Sequence, residues 1–161
     1  MKRSAQIPNH CIARLTQFVP RLYHYFKIKR ALGQMGYSLG VRDSIMIAHS
    51  FKGKEFGPAQ SMHGATYTVE CEFHCDELQP GVNWVVDIGE ALDALQKVLS
   101  KYNYKNLDEI EAFHGQNTTT EFMCRQIHSD MAGLFRGRFQ GSIKVTLHES
   151  FKAWAAYQAP V

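Results

Sequence analysis

The chain has 161 residues, 45% of them hydrophobic and 20% charged, and a net charge of +3. That length sustains one domain with its own core and needs no disulfide or metal staple. No apolar run approaches the ~18 residues of a membrane span, and the start has no apolar block followed by a small-residue cleavage site, so a cytoplasmic protein without a membrane partner is expected.

The charge is unevenly spread. Residues 1–36 carry seven basic side chains (Lys2, Arg3, Arg14, Arg21, Lys27, Lys29, Arg30) and no acidic one. Of the 18 basic and 15 acidic residues, 11 basic and all 15 acidic therefore fall in 37–161, a net of −4. The chain divides there into a basic N-terminal extension, 1–36, and a domain, 37–161. Pro8 and Pro20 interrupt the extension, and Leu22, Phe26 and Ala31 can share one face of a short basic helix. Docking, organelle targeting, contact with RNA or a membrane surface, and an upstream start codon all fit it; a non-catalytic extension is favoured. The acidic body argues against a nucleic-acid partner.

From Tyr37 the pattern becomes regular. Residues 37–51, YSLGVRDSIMIAHSF, read as a strand with imperfect alternation across Val41, Ser44, Met46 and Ala48. A Gly- and Pro-containing loop leads to ATYTVECEFH, where Tyr67, Val69, Cys71 and Phe73 point one way and Thr66, Thr68, Glu70 and Glu72 the other. One wet and one packed face is the antiparallel arrangement. A Pro-Gly turn follows. Then Ile88, Leu92, Leu95 and Leu99 recur at helical spacing behind Asp87 as N-cap. A polar loop precedes a second helix, opened by Thr118 and Glu121 at capping-box spacing, with Phe122, Ile127 and Met131 on its apolar side. GSIKVTLHES and FKAWAAYQAP close the chain as a hairpin. The order β-β-α-α-β-β predicts an α+β domain, with a four-stranded antiparallel sheet and both helices on one face. Cys11, Cys71, Cys75 and Cys124 form no CxxC pair and read as buried or half-buried thiols in a reducing compartment.

Four short segments stand out on this frame: IAHS at 47–50, HGATY at 63–67, NTTTEF at 117–122 and LHES at 147–150, with VVDIGEAL at 85–92 before the first helix. In this order they resemble the 6-pyruvoyl- and 6-carboxytetrahydropterin synthases, over roughly residues 37–160. The resemblance implies the tunnelling fold (T-fold). Trimers close a twelve-stranded barrel, two trimers stack into a hexamer, and a pterin sits at a subunit interface. It also implies a zinc ion on three histidines, and a cysteine with an aspartate–histidine pair that moves protons.

Residue by residue, the resemblance makes Glu149 the pterin anchor. A pterin presents an amino group and a ring N–H side by side, and one carboxylate accepts both. Thr119 and Glu121 fall on the family's substrate-binding Thr and Glu; Thr118 and Phe122 replace its proline and asparagine. His49 and His63 match two zinc ligands, but Ala65 stands where the third belongs. His74, His114 and His148, or a residue of a neighbouring subunit, are the candidates for a third donor, and His148 should face away from Glu149. No cysteine lies between His49 and His63, where Glu55, Gln60 and Ser61 stand. Asp108 is kept, its histidine partner has become Glu109, and His114 is an alternative base. Lys52, Lys54 and Arg42 are candidates for phosphates.

The implied activity is a carbon–oxygen lyase acting on 7,8-dihydroneopterin triphosphate or a related pterin, in pterin or deazaguanine-precursor (queuosine) metabolism. The alternative is a non-catalytic pterin-binding or assembly protein that has lost the zinc, cysteine and histidine machinery.

Overall fold

The computed structural model describes residues 36–161. The extension lies outside them apart from Gly36. Strand β1 (Tyr37–His49) pairs antiparallel with β2 (His63–Cys75) along its whole length, from Tyr37 opposite Cys75 to His49 opposite His63. Helix α1 (Ile88–Leu99) follows, then β3 (Lys105–Asn106), helix α2 (Thr120–Phe135), β4 (Ser142–His148) and β5 (Trp154–Pro160). The sheet order is β3-β1-β2-β4-β5.

The β-β-α-α-β-β frame is present, but the sheet has five strands rather than the four expected. The addition is β3, two residues that pair parallel with Ile47 and Ala48. Two residues carry no alternation, so no sequence period marks them. Short 3-10 turns occupy Lys54–Gln60, Leu107–Glu109 and Glu111–Phe113.

The odd-numbered residues of the strands build the core face. Val41, Ile45 and Ile47 of β1, Tyr67 to Cys75 of β2, and Ile143, Val145 and Leu147 of β4 form one cluster with both helices. The packed face of β1 is therefore Val41, Ile45, Ile47 and His49, and the expected phase through Ser44 and Met46 is one residue out; Met46 is 49% exposed. Asp43 sits at an odd position and is exposed, which breaks the apolar period that would have set the phase.

Helix α1 is capped as expected: the Asp87 carboxylate accepts from the Glu90 N–H at 2.9 Å. Its buried stripe is Ala91, Leu95, Val98 and Leu99, so Ile88 and Leu92 face out, against the expected set. Helix α2 starts one residue later than the capping-box spacing suggests. The Thr119 hydroxyl accepts from the Phe122 N–H at 3.3 Å, while Thr118 turns inward. It ends at Arg136, and Gly137 (φ 76) supplies the left-handed residue that closes many helices. Gly141 lies where β4 departs from the end of β2; a Cβ there would sit 2.0 Å from the His74 carbonyl oxygen.

Cys71 and Cys75 point into the core from β2, and Cys124 from α2; all three are free thiols. Burial pushes the Cys71 thiol up to about 12, with the Glu72 carboxylate adding to it. Because the thiolate is the nucleophile, the native protein is expected to leave Cys71 unalkylated by iodoacetamide at pH 8 and to react there only after unfolding. Peptide mass mapping checks this, and a Cys71 adduct on native protein contradicts it. Among the described residues, no helix is long and apolar enough to cross a membrane.

Candidate functional site

The site is built where β1 ends, β2 begins, β4 ends and α2 starts. His49 is the last residue of β1 and lies opposite His63, the first of β2. Their rings are 4.5 Å apart, with Phe51 packed edge-on against both at 4.6 and 5.5 Å. His49 is 1% exposed. Its Nδ1 lies 3.1 Å from both the Thr118 carbonyl and the Thr118 hydroxyl. Nδ1 of His63 lies 2.9 Å from the Ser61 carbonyl. A carbonyl only accepts, so in the neutral rings both protons sit on Nδ1 and both Nε2 atoms carry lone pairs. Nε2 of His49 is buried without a partner. Burial holds the His49 imidazole below its ordinary value and His63 adds to this; Thr118, Asp108 and Glu149 act in the opposite sense.

This is the arrangement of metal-ligating histidines, whose second nitrogen is fixed by a carbonyl. The set stops at two. Residue 65 leaves β2 on the same face as His63, and it is alanine. Among the described residues no group of three His, Cys, Asp or Glu can hold a metal ion. The residues present do not complete a three-histidine zinc centre. His74 and His148 lie on the opposite, polar face of the sheet, beside Glu72 and Glu70.

Asp108, in the 3-10 turn after β3, accepts a hydrogen bond from the Ser50 hydroxyl at 2.6 Å. This fixes a half-buried carboxylate next to the histidine pair, within electrostatic reach of His49. Glu109 does not join it; its carboxylate accepts from Asn106 Nδ2 at 3.0 Å. His114 is exposed beyond the Glu111–Phe113 turn.

Glu149 follows β4, one position past its last ladder pair with β2. Its Oε2 accepts from the Thr120 hydroxyl at 2.8 Å, at the first turn of α2, where a carboxylate is favoured by the helix dipole. His148 faces the other way, as expected. Beside Glu149 a cavity of about 380 Å³ opens on the polar face, also lined by Arg42, Thr66, Thr68, Glu70 and His148. Arg42 is ion-paired with Glu70, so its charge is already engaged. Lys52 and Lys54 are exposed on the loop after His49.

One segment ties these parts together. Asn117 accepts from the Lys52 N–H at 2.7 Å and donates to the Lys52 carbonyl at 2.9 Å. Thr118 holds His49, Thr119 caps α2 and Thr120 holds Glu149. Of the residues named from the sequence, Thr119 is occupied as a cap and Glu121 is exposed in the first turn of α2. Thr120 and Ser50 were not singled out as site residues. Their hydroxyls show themselves only once the fold sets 50 beside 108 and 120 beside 149.

The sequence model of the family described as 6-pyruvoyl tetrahydropterin synthase matches residues 38–160. Solved structures of the same description share the fold. That from Caenorhabditis elegans superposes with a TM-score of 0.68 at 22% identity, covering 76% of this chain and 95% of the other. Those from Plasmodium falciparum and Plasmodium vivax give TM-scores of 0.63 at 15% and 17% identity, each covering 80% of this chain and 100% of the other. No curated protein sequence matches the chain. With the family model spanning nearly all of the described domain, the chain belongs to the 6-pyruvoyl tetrahydropterin synthase family.

Proposed function

We propose that this chain binds a pterin through Glu149 and acts on its side chain as a carbon–oxygen lyase, with 7,8-dihydroneopterin triphosphate or a close relative as substrate. The observation that carries this is the placement of Glu149. Thr120 holds one carboxylate oxygen from one side, and a cavity of about 380 Å³ adjoins it on the other. Each carboxylate oxygen has two lone pairs, so the Thr120 bond leaves room for both donors of a pterin edge. Asp108, whose carboxylate is oriented by Ser50, is the proposed base for the side-chain proton. No step is assigned to a metal.

One observation favours a second reading, a pterin-binding protein without lyase chemistry: Ala65 at the third-ligand position, beside a site in which the Glu109 carboxylate is bonded to Asn106. A homo-oligomer fits either reading. Among the described residues β3 covers only Ile47 and Ala48, so most of β1 and the outer side of β5 have no strand partner, and both edges are open for pairing with further copies in a trimeric or hexameric barrel.

Incubation with 7,8-dihydroneopterin triphosphate, followed by chromatography of the pterin and assay of released triphosphate, tests the lyase. Turnover lost in Asp108→Asn with binding retained is the expected result. Micromolar binding without turnover selects the second reading. Neither binding nor turnover overturns the pterin assignment.

A further inference from the structure

Two side-chain hydroxyls lie behind Glu149. The nearer belongs to Thr120, which donates to Oε2. The farther belongs to Tyr67, two residues beyond Ala65 on the same face of β2 and next in line, cross-strand, to Glu149. Tyr67 is fully buried, its hydroxyl has no closed hydrogen bond among the described residues, and Thr120 is one of the groups that act on it. A buried phenol O–H without a partner costs about 1–3 kcal/mol, and such a group in a folded protein calls for an explanation. Cys124 and the Glu121 carboxylate are the other groups whose influence reaches it. A threonine hydroxyl has one proton and two lone pairs. Thr120 gives its proton to Glu149 and keeps an acceptor site that Tyr67 can fill.

We propose that Tyr67 and Thr120 are positioning residues for Glu149, joined in a relay in which the Tyr67 hydroxyl donates to Thr120 Oγ1 and Thr120 donates to Glu149 Oε2. The inference rests on the reading of Glu149 as the pterin anchor. Neither hydroxyl touches the ligand. Thr120 fixes the carboxylate rotamer, and Tyr67 fixes and polarises Thr120, since hydrogen bonds in a chain strengthen one another. Burial pushes the Tyr67 phenol up to about 12; Thr120 opposes this, and the Glu149 carboxylate adds to it, so the hydroxyl keeps its proton at neutral pH. The relay enters from the floor of the domain. It leaves the cavity side of Glu149 free, and an anchor held this way presents its lone pairs in one direction before the ligand arrives.

The test is a double-mutant cycle read by binding of 7,8-dihydroneopterin in titration calorimetry, with thermal midpoints recorded for every variant. Tyr67→Phe removes only the hydroxyl and is expected to weaken binding roughly fivefold, the worth of one hydrogen bond. Thr120→Val is expected to weaken it by at least as much, and Thr120→Ser, which keeps the hydroxyl, to restore it. The double variant Tyr67→Phe/Thr120→Val should bind like Thr120→Val alone, because the relay is cut once. Unchanged affinity in Tyr67→Phe, or effects that add, overturns the relay; a purely structural role would lower thermal midpoints without that affinity pattern. A second readout needs no ligand. In crystal structures of the free protein, Glu149 should hold one rotamer in the wild type and spread over several in Thr120→Val. One unchanged rotamer overturns the relay. If the wild type binds no pterin while the rotamer responds, the pterin reading fails and the relay stands.

Discussion

Glu149→Gln is expected to weaken pterin binding roughly 100-fold. Glutamine keeps the shape and one acceptor oxygen, but it places an NH2 where a pterin also presents a donor. Two hydrogen bonds to a charged acceptor are each worth about 1.5–3 kcal/mol. Losing one, weakening the other and opposing two donors together remove about 3 kcal/mol, which is about two powers of ten in Kd. The fold should be indifferent, because Glu149 is exposed, its backbone bond to Ala153 is untouched, and its side-chain bond from Thr120 can still be accepted by the amide oxygen. Calorimetric titration of wild type and variant with 7,8-dihydroneopterin, alongside circular dichroism, reads both. Equal affinity would remove Glu149 as the anchor and, with it, the best-supported part of the proposed function.

Ala65→His is expected to create a zinc site. His49 and His63 face each other across the β1–β2 pair with both Nδ1 atoms held by carbonyls, so the free lone pairs are already set. A histidine at 65 leaves the same face of β2 as His63 and supplies the third donor. Structural zinc sites bind with about 10–16 kcal/mol over four ligands. A third imidazole is then worth about 3 kcal/mol, or roughly 100-fold in affinity. After dialysis against a mild chelator, the variant should retain about one zinc per subunit by elemental analysis, and the wild type much less. The reverse result, a wild type that holds stoichiometric zinc as firmly as the variant, would mean that a donor outside this histidine pair completes the site. If the variant gains nothing, His49 and His63 do not converge. Comparison of lyase turnover in the two proteins then separates a metal requirement from the pterin requirement probed at Glu149.

The frame was legible because its strongest signals are local. The alternation of Tyr67, Val69, Cys71 and Phe73 set the packed face of β2, and Asp87 set the start of α1. The errors arise where tertiary contacts choose between options of similar local merit. Leu95 and Leu99 lie on both candidate stripes of α1; packing against β1 selected Ala91 and Val98 and left Ile88 and Leu92 outside. Three consecutive threonines offer three caps for α2. His49 selected Thr118 as its partner, so the cap moved to Thr119. In the site, His49, His63, Glu149 and Asp108 were recognisable because each belongs to a short motif. Tyr67, Thr120 and Ser50 act through partners 29 to 58 positions away, or across a sheet, and no spacing in the sequence reports such a pairing. Ala65 was legible as a missing donor, whereas the orientation of the two remaining imidazoles was not.

The segment 117–120 gives each of four consecutive side chains a different partner, and two of those partners are His49 and Glu149. The site is thus as ordered as the opening turn of α2, and helix ends are where local opening begins. A ligand held by Glu149 would clamp that turn through Thr120. Fraying of α2 and occupancy of the site become one equilibrium, and the amide protons of Phe122 and Met123, bonded to Thr119, are the ones whose exchange with solvent should slow when the pocket fills.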